Sequence, residues 1–276
     1  MIKRILAIVY ILTASYSMGQ VSVVSYNIRY ANAADGDNAW SNRKSELVEM
    51  LNTYYPDILG VQEALHEQVV YLSENLKGYG NVGVGRDDGK QAGEYCAIYY
   101  DTTKYSMLKS RTYWLSETPD SISVGWDASM VRIVTTATFI SRIKADTIHV
   151  FNAHFDHMGK LARLNSAKLI LELAARLCRP SDKLIFMGDL NMQPDEDGVV
   201  LLAEELVDTR AAVGSSAEGP DGTFNDFQKG YHMEKRIDYI FVRNARPSRF
   251  RTITERRSNG LQLSDHYAII CGLSWN

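Results

Sequence analysis

Apolar positions along the chain fall into short blocks, and the spacing of those blocks changes with position. Residues 21–26 form a β-branched run that ends at Asn27 and predicts a buried strand. A polar stretch over 31–41 predicts a loop, and a helix is expected from about Arg43 to Tyr54, stopped by Pro56. Residues 57–61 predict a second buried strand running into Gln62-Glu63, and 66–76 a second helix. Strand, helix, strand, helix is the opening of an α/β protein.

The middle of the chain differs. Residues 94–100, 106–115, 132–143 and 147–155 are strand-like and mostly joined by short turns, which predicts antiparallel pairing beside the α/β units. Leu161, Leu164, Ala167, Leu171 and Ala174 recur at helical spacing, so 161–177 is expected to be an amphipathic helix. A short strand over 184–187 leads into Gly188-Asp189-Leu190-Asn191, and later strands are expected over 236–242, 250–254 and 267–273. The best fit is an α/β four-layer sandwich: two mixed β-sheets packed face to face, with helices on the outside. Polar residues recur where an apolar strand ends or begins, namely Asn27, Glu63, His154, Asp189, Asn191 and His266. Strand ends are where a rigid scaffold can hold side chains in a shared cleft.

Residues 1–19 stand apart from this pattern. Lys3 and Arg4 precede an apolar run over 5–16, and Ser17-Met18-Gly19 places small residues where a signal peptidase cuts. The run is shorter than the roughly 20 residues a membrane anchor needs. A signal peptide over 1–19, cleavage after Gly19, and one catalytic domain over 20–276 in the periplasm or outside the cell are therefore expected. No Cys follows the run, which argues against a lipoprotein, and no other stretch is expected to span a membrane. Without Lys3 and Arg4 the chain carries 28 basic against 33 acidic side chains. That balance lowers the expectation of a long nucleic-acid substrate, which calls for a basic face. Cys96, Cys178 and Cys271 are odd in number and widely spaced, so they read as small buried apolar residues rather than a disulfide framework or a zinc site.

Six short motifs then appear in order: Ser25-Tyr26-Asn27-Ile28-Arg29, Val61-Gln62-Glu63, Asn152-Ala153-His154-Phe155, Gly188-Asp189-Leu190-Asn191, Arg236-Ile237-Asp238-Tyr239 and Ser264-Asp265-His266. None is specific alone, but in this order they resemble the endonuclease/exonuclease/phosphatase superfamily over nearly all of residues 20–276. Phosphoester hydrolysis needs a cation for the phosphoryl oxygens, a base for water and donors for the developing charge. The resemblance implies Glu63 as the principal ligand of Mg2+, or of Mn2+ in its place, with Asn27 supporting the metal or a phosphate oxygen and Asp265 acting on it directly or through water. It implies that Asp189 orients or deprotonates the attacking water and that Asn191 hydrogen-bonds the phosphoryl group. His266, held in one tautomer by Asp238, would contact the phosphate and assist proton transfer, and His154 would contact the phosphate as well.

Other features leave alternatives open. Arg86-Asp87-Asp88-Gly89-Lys90 with Glu94, and Trp114-Leu115-Ser116-Glu117 with Gly125-Trp126-Asp127, resemble loops of a secreted bacterial branch of the superfamily. Arg86 and Lys90 line a substrate rim or are plain surface charge; Arg132 reaches a phosphate oxygen or closes a scaffold salt bridge. Phe224 stacks on substrate or belongs to the core. Asp35 and Asp37 lack the downstream Glu of a calcium loop and are taken as solvated. Asp156 stands where some relatives carry Lys near a nucleotide, which argues against their RNA specificity. His154-Phe155-Asp156-His157 overlaps half of a zinc-hydrolase motif, but position 152 is Asn and the donor set is rich in oxygen. Small-molecule or lipid-head-group phosphoesters are favoured as substrate, with a nuclease as the alternative. A silent binding module would be expected to have lost one of these residues, and no protein partner is indicated.

Overall fold

The computed structural model describes residues 20–228 and 235–275; the expected signal peptide lies outside them. Its elements are β1 (Gln20–Asn27), α1 (Trp40–Tyr54), β2 (Ile58–Ala64), α2 (His66–Asn75), β3 (Tyr79–Val82), β4 (Tyr95–Asp101), β5 (Tyr105–Trp114), β6 (Ile133–Ser141), β7 (Thr147–His154) and α3 (Lys160–Leu177). They continue with β8 (Lys183–Asp189), α4 (Asp197–Glu205), β9 (Val207–Asp208), α5 (Thr209–Val213), β10 (Asp238–Arg243), β11 (Ala245–Ile253) and β12 (Ala268–Trp275).

Two six-stranded sheets run in the orders β11-β12-β1-β2-β4-β3 and β5-β6-β7-β8-β10-β9. The two orders follow one plan. Each has a central parallel pair, β1 with β2 and β7 with β8, flanked on both sides by antiparallel strands. The chain therefore builds one topology twice, although no repeat is visible in its residues.

The central strands read as continuous apolar runs because both of their faces are covered. In β8, Ile185 and Met187 point to the layer between the sheets, while Leu184 and Phe186 point to the layer under α3 and α4. In β1, Val23 faces between the sheets and Val24 faces the layer under α1 and α2. This alternation at period 2 produces helix, sheet, sheet, helix. One polar lock crosses the apolar layer: Asn152 Nδ2 donates to the carbonyls of Val61 (2.9 Å) and Ala97 (2.8 Å), and its Oδ1 accepts from Gln62 Nε2 (2.6 Å). Asn152 is thus structural, and it does not face the cleft where a zinc ligand would have to stand.

Sequence reading misses β3, α4, β9 and α5. β3 carries Gly80 and Asn81, residues of low strand propensity, and exists through its pairing with β4. The three cysteines are buried and unpaired. Among the described residues no helix is long and apolar enough to cross a membrane.

Candidate active site

Topology alone brings the predicted residues together. Asn27 and Glu63 lie at the C-terminal ends of parallel strands β1 and β2, and β12 and β4 are antiparallel to them. Residues just before β12 (Asp265, His266) and β4 (Glu94) therefore share that end. In the other sheet His154 and Asp189 end the parallel strands β7 and β8, Asp238 opens antiparallel β10, and Arg132 just precedes antiparallel β6. His154, Asp189 and Asp238 are Cα partners across three adjacent strands. The result is a cleft of about 630 Å³ at one end of the sandwich.

Local backbone geometry aims the side chains. The β2–β4 register shifts between Val61 and Ala64, and Glu63 within that bulge has φ 63°, which turns its carboxylate into the cleft. Asn191 (φ 49°) and Arg29 (φ 57°) are also left-handed, a conformation that costs non-glycine residues about 1–2 kcal/mol and clusters at functional sites. Gly188 is required by contact: a Cβ there would lie 2.0 Å from the Ala153 carbonyl oxygen. Buried Arg43 ties the loop down by donating to the carbonyls of Arg29 (2.8 Å), Asn38 (2.9 Å) and Leu263 (3.1 Å).

Asp189 Oδ2 is the hub. It accepts from Asn27 Nδ2 (2.9 Å) and lies 3.4 Å from His154 Nε2 and 3.6 Å from His266 Nε2. The same Asn27 amide donates to Glu63 Oε1 (3.0 Å), while Asn27 Oδ1 accepts the Arg29 backbone N–H (3.0 Å). Asn27 therefore spaces two carboxylates, with its oxygen turned away from them. The remaining oxygen of Glu63 accepts from the Tyr30 backbone (3.2 Å). His266 Nδ1 lies 2.8 Å from Asp238 Oδ2, and the Phe224 ring meets the imidazole edge-on at 5.0 Å. Asn191 Nδ2 donates to the Phe155 carbonyl (3.1 Å) and faces His154 Nε2 (3.2 Å). A carbonyl only accepts, so this atom is the amide nitrogen, and it faces His154 Nε2 as a donor.

The electrostatics follow from burial and crowding. Burial, then the charge of Asp238, pushes the Asp189 carboxyl up to about 7. Burial pushes Asp265 up to about 6, with Glu63 adding to the rise and His266 opposing it. Burial alone would lower the His266 imidazole, but Asp238 and Asp189 outweigh it and hold its pKa well above the ordinary value. His154 goes the other way: burial, then Arg132 and Arg86, hold it well below, so it is neutral. Glu63, His154 and Asp189 bring ligand-type atoms within 4.8 Å of one another, as do Asp189, Asp238 and His266. Crowded buried carboxylates of this kind favour a divalent cation as counter-charge, and oxygen donors suit a hard one.

The outlying residues resolve as follows. Arg132 pairs with Asp156 (3.3 Å) and His157 Nδ1 (3.0 Å), so the scaffold salt bridge is present, and its side chain also borders the cleft. Arg86 does not line the cleft; it grips Glu94 with two bonds (2.8 and 3.0 Å), and Glu94 forms the wall in its place. Asp35 is not simply solvated: it takes a two-pronged bond from Arg29 (3.0 and 3.1 Å), which itself lies 3.7 Å from Asp265. Trp114 Nε1 donates to the Arg86 carbonyl, Glu117 accepts from the Trp126 backbone and Asp127 from the first turn of α3, so those loops are scaffold. The 223–227 loop braces the site, with Thr223 Oγ1 accepting from the Asp238 backbone and the Asn225 N–H donating to the Asp265 carbonyl. Sequence reading misses Glu94, His157, Glu196 and Lys235 as cleft residues. Glu94 immediately precedes a strand, the same signal that marks its neighbours.

Comparison with known proteins places this geometry. The chain is 35% identical to an endonuclease/exonuclease/phosphatase from Bacteroides vulgatus, covering 93% of this chain and 99% of that one, with a TM-score of 0.88. It is 34% identical to a mannosyl-6-phosphatase from Bacteroides thetaiotaomicron over 92% of this chain and 100% of the other, again with a TM-score of 0.88. It is also 28% identical to the uncharacterized protein L388 of Acanthamoeba polyphaga mimivirus, over 55% of this chain and 59% of that protein. The chain thus spans little more than half the length of that viral relative. The profile of the Endonuclease/Exonuclease/phosphatase family matches residues 24–266, a span that contains every cleft residue described above. The chain belongs to that family, whose members are metal-dependent phosphoesterases.

Proposed function

We propose that the protein is an exported, magnesium-dependent hydrolase of small phosphoesters, with sugar phosphates the favoured class. The observation that carries the catalytic part is the chain Asp238–His266–Asp189, set across the Asn27 amide from Glu63. Glu63 and Asp265 would hold Mg2+, or Mn2+ in its place, and a bound ion neutralises charge on the phosphoryl oxygens. Asp189 orients the attacking water and takes its proton. Burial and the neighbouring Asp238 raise its carboxyl, which makes the ionised form a stronger base than a solvated carboxylate. Asp238 fixes the His266 Nδ1–H, so the charged imidazole directs its Nε2–H at a phosphoryl oxygen. Asn191, whose amide is held by Phe155 and His154, borders the same space and positions the phosphoryl group.

Charge supports a small substrate. Among the described residues the cleft is lined by six Asp and Glu side chains against three Lys and Arg. Two of those cations are already paired, Arg29 with Asp35 and Arg132 with Asp156. A polyanionic strand would find few free partners there. The similarity to a mannosyl-6-phosphatase supports a sugar phosphate, and the leader pattern of residues 1–19 supports export. The alternative is a secreted nuclease. The test is a panel of sugar phosphates, phosphodiesters and single-stranded DNA, assayed with Mg2+ at 50 and 300 mM salt. Sugar phosphate turnover that barely responds to salt is expected. DNA cleavage that falls steeply with salt, with sugar phosphates untouched, would establish the nuclease instead.

A further inference from the structure

One wall of the cleft has a second side. Lys235 and Ile237 line the catalytic cleft, while Arg236 between them lines a separate cavity of about 360 Å³. Gln193, close in sequence to Asn191, borders both spaces. Charge reverses across this wall. The cleft is lined mainly by carboxylates, whereas among the described residues the side cavity sets Arg210 and Arg236 against Asp221 alone.

The two guanidinium groups are held in different ways. Arg236 is fixed from behind: its Nη2 donates to Asp208 Oδ1 (2.5 Å), and the group lies over the Tyr239 ring, 4.5 Å from the centroid. Asp208 does not line the cavity, and the same oxygen also accepts the Arg210 backbone N–H (3.0 Å), so its charge is shared. Arg236 Nε is buried with no partner, and among the described residues Nη2 makes the only hydrogen bond of this guanidinium. Arg210 Nη1 donates to the Gly214 carbonyl (2.9 Å), and its Nη2 pairs with Asp221. Asp221 is 72% exposed, so that pair is weak and open to exchange. One anchored guanidinium with unused donors beside another with a replaceable partner suits an oxyanion, whose geometry a guanidinium matches.

We propose that the side cavity is an anion subsite that takes a phosphate or carboxylate group. That group is a second charge on the substrate or a free inorganic anion, and the first of these rests on the phosphoesterase reading above. The incoming oxyanion displaces the Asp221 carboxylate from Arg210, while Asp208 keeps Arg236 in position. The carboxylate-lined cleft disfavours a second acid group, and this cavity gives such a group a place.

The test first measures sulfate binding to chelated residues 20–276, from the rise in Tm with sulfate at constant ionic strength. Wild type is compared with Arg210→Gln and Asp221→Asn; sulfate held in the catalytic cleft would be common to all three. Loss of the guanidinium is expected to weaken binding about 10-fold or more, and loss of its competitor to tighten it about 3-fold or more. Opposite signs in the two variants are a pattern that simple damage to the fold would not produce. The same proteins are then assayed with Mg2+ on a hexose 6-phosphate and a hexose 1,6-bisphosphate. For an anion carried by the substrate, Arg210→Gln lowers kcat/KM for the bisphosphate relative to the monophosphate about 10-fold, through KM, and Asp221→Asn raises that ratio. An unmoved ratio with the sulfate pattern intact supports the subsite and assigns it to a free anion. Equal sulfate affinities in all three proteins, with an unmoved ratio, would overturn the proposal. A wild type inactive on both substrates would count against the phosphoesterase reading alone, because sulfate binding needs no turnover.

Discussion

Asp238 Oδ2 lies 2.8 Å from His266 Nδ1, and both residues are buried at the junction of the two sheets. The bond fixes the tautomer of His266 and, with Asp189, keeps the ring charged. Replacing Asp238 by Asn removes the charge and offers an amide in its place. The variant should remain folded by circular dichroism and lose about 10²–10⁴-fold in kcat. Single-turnover rates across pH check this, and a kcat within threefold of wild type would refute the role.

The inter-sheet lock makes a separate claim about stability. Asn152→Leu leaves the carbonyls of Val61 and Ala97 without their side-chain donor and Gln62 Nε2 without its Asn152 acceptor. A cost of about 2–4 kcal/mol is expected, read as a lower urea midpoint at unchanged m. A midpoint equal to wild type would show that the lock contributes nothing to stability.

Asp156 supplies the pH dependence. Burial alone would raise its carboxyl, but the backbone N–H groups of Gly159 and Met158, with Ser129, outweigh it and hold the pKa well below the ordinary carboxylate value. The unfolded chain therefore binds the proton first. Stability from this group is present above about pH 4 and is lost as pH falls through and below that value. In Asp156→Asn the urea midpoint should decline less between about pH 5 and 3 than in wild type. Parallel profiles would contradict the assignment.

Much of this was legible in the sequence, and the reasons are physical. Strands buried on both faces leave long apolar runs, so β1, β2, β7 and β8 and the polar residues that close them could be read directly. Asp238 and Asp265-His266 could be read from motif order, and the topology shows why order matters: antiparallel neighbours bring strand starts to the same end as parallel strand ends. What could not be read depends on partners distant in sequence. β3 is a strand because β4 pairs with it, the bulge that turns Glu63 has no residue signature, and nothing in the sequence shows that Arg86, read as a substrate-rim residue or plain surface charge, is bound to Glu94. The duplicated sheet plan left no trace because burial constrains residue class rather than identity.

Asp189 stands at the centre of the proposed metal-dependent hydrolysis. The most direct measurement is phosphate release from a hexose 6-phosphate by residues 20–276, before chelation, after EDTA, and after Mg2+ is restored, beside Asp189→Ala. Chelation is expected to abolish activity and Mg2+ to restore it, while the variant stays folded but loses at least about 10²-fold at every Mg2+ concentration. Activity that survives chelation, or that persists in Asp189→Ala, would contradict the proposed mechanism.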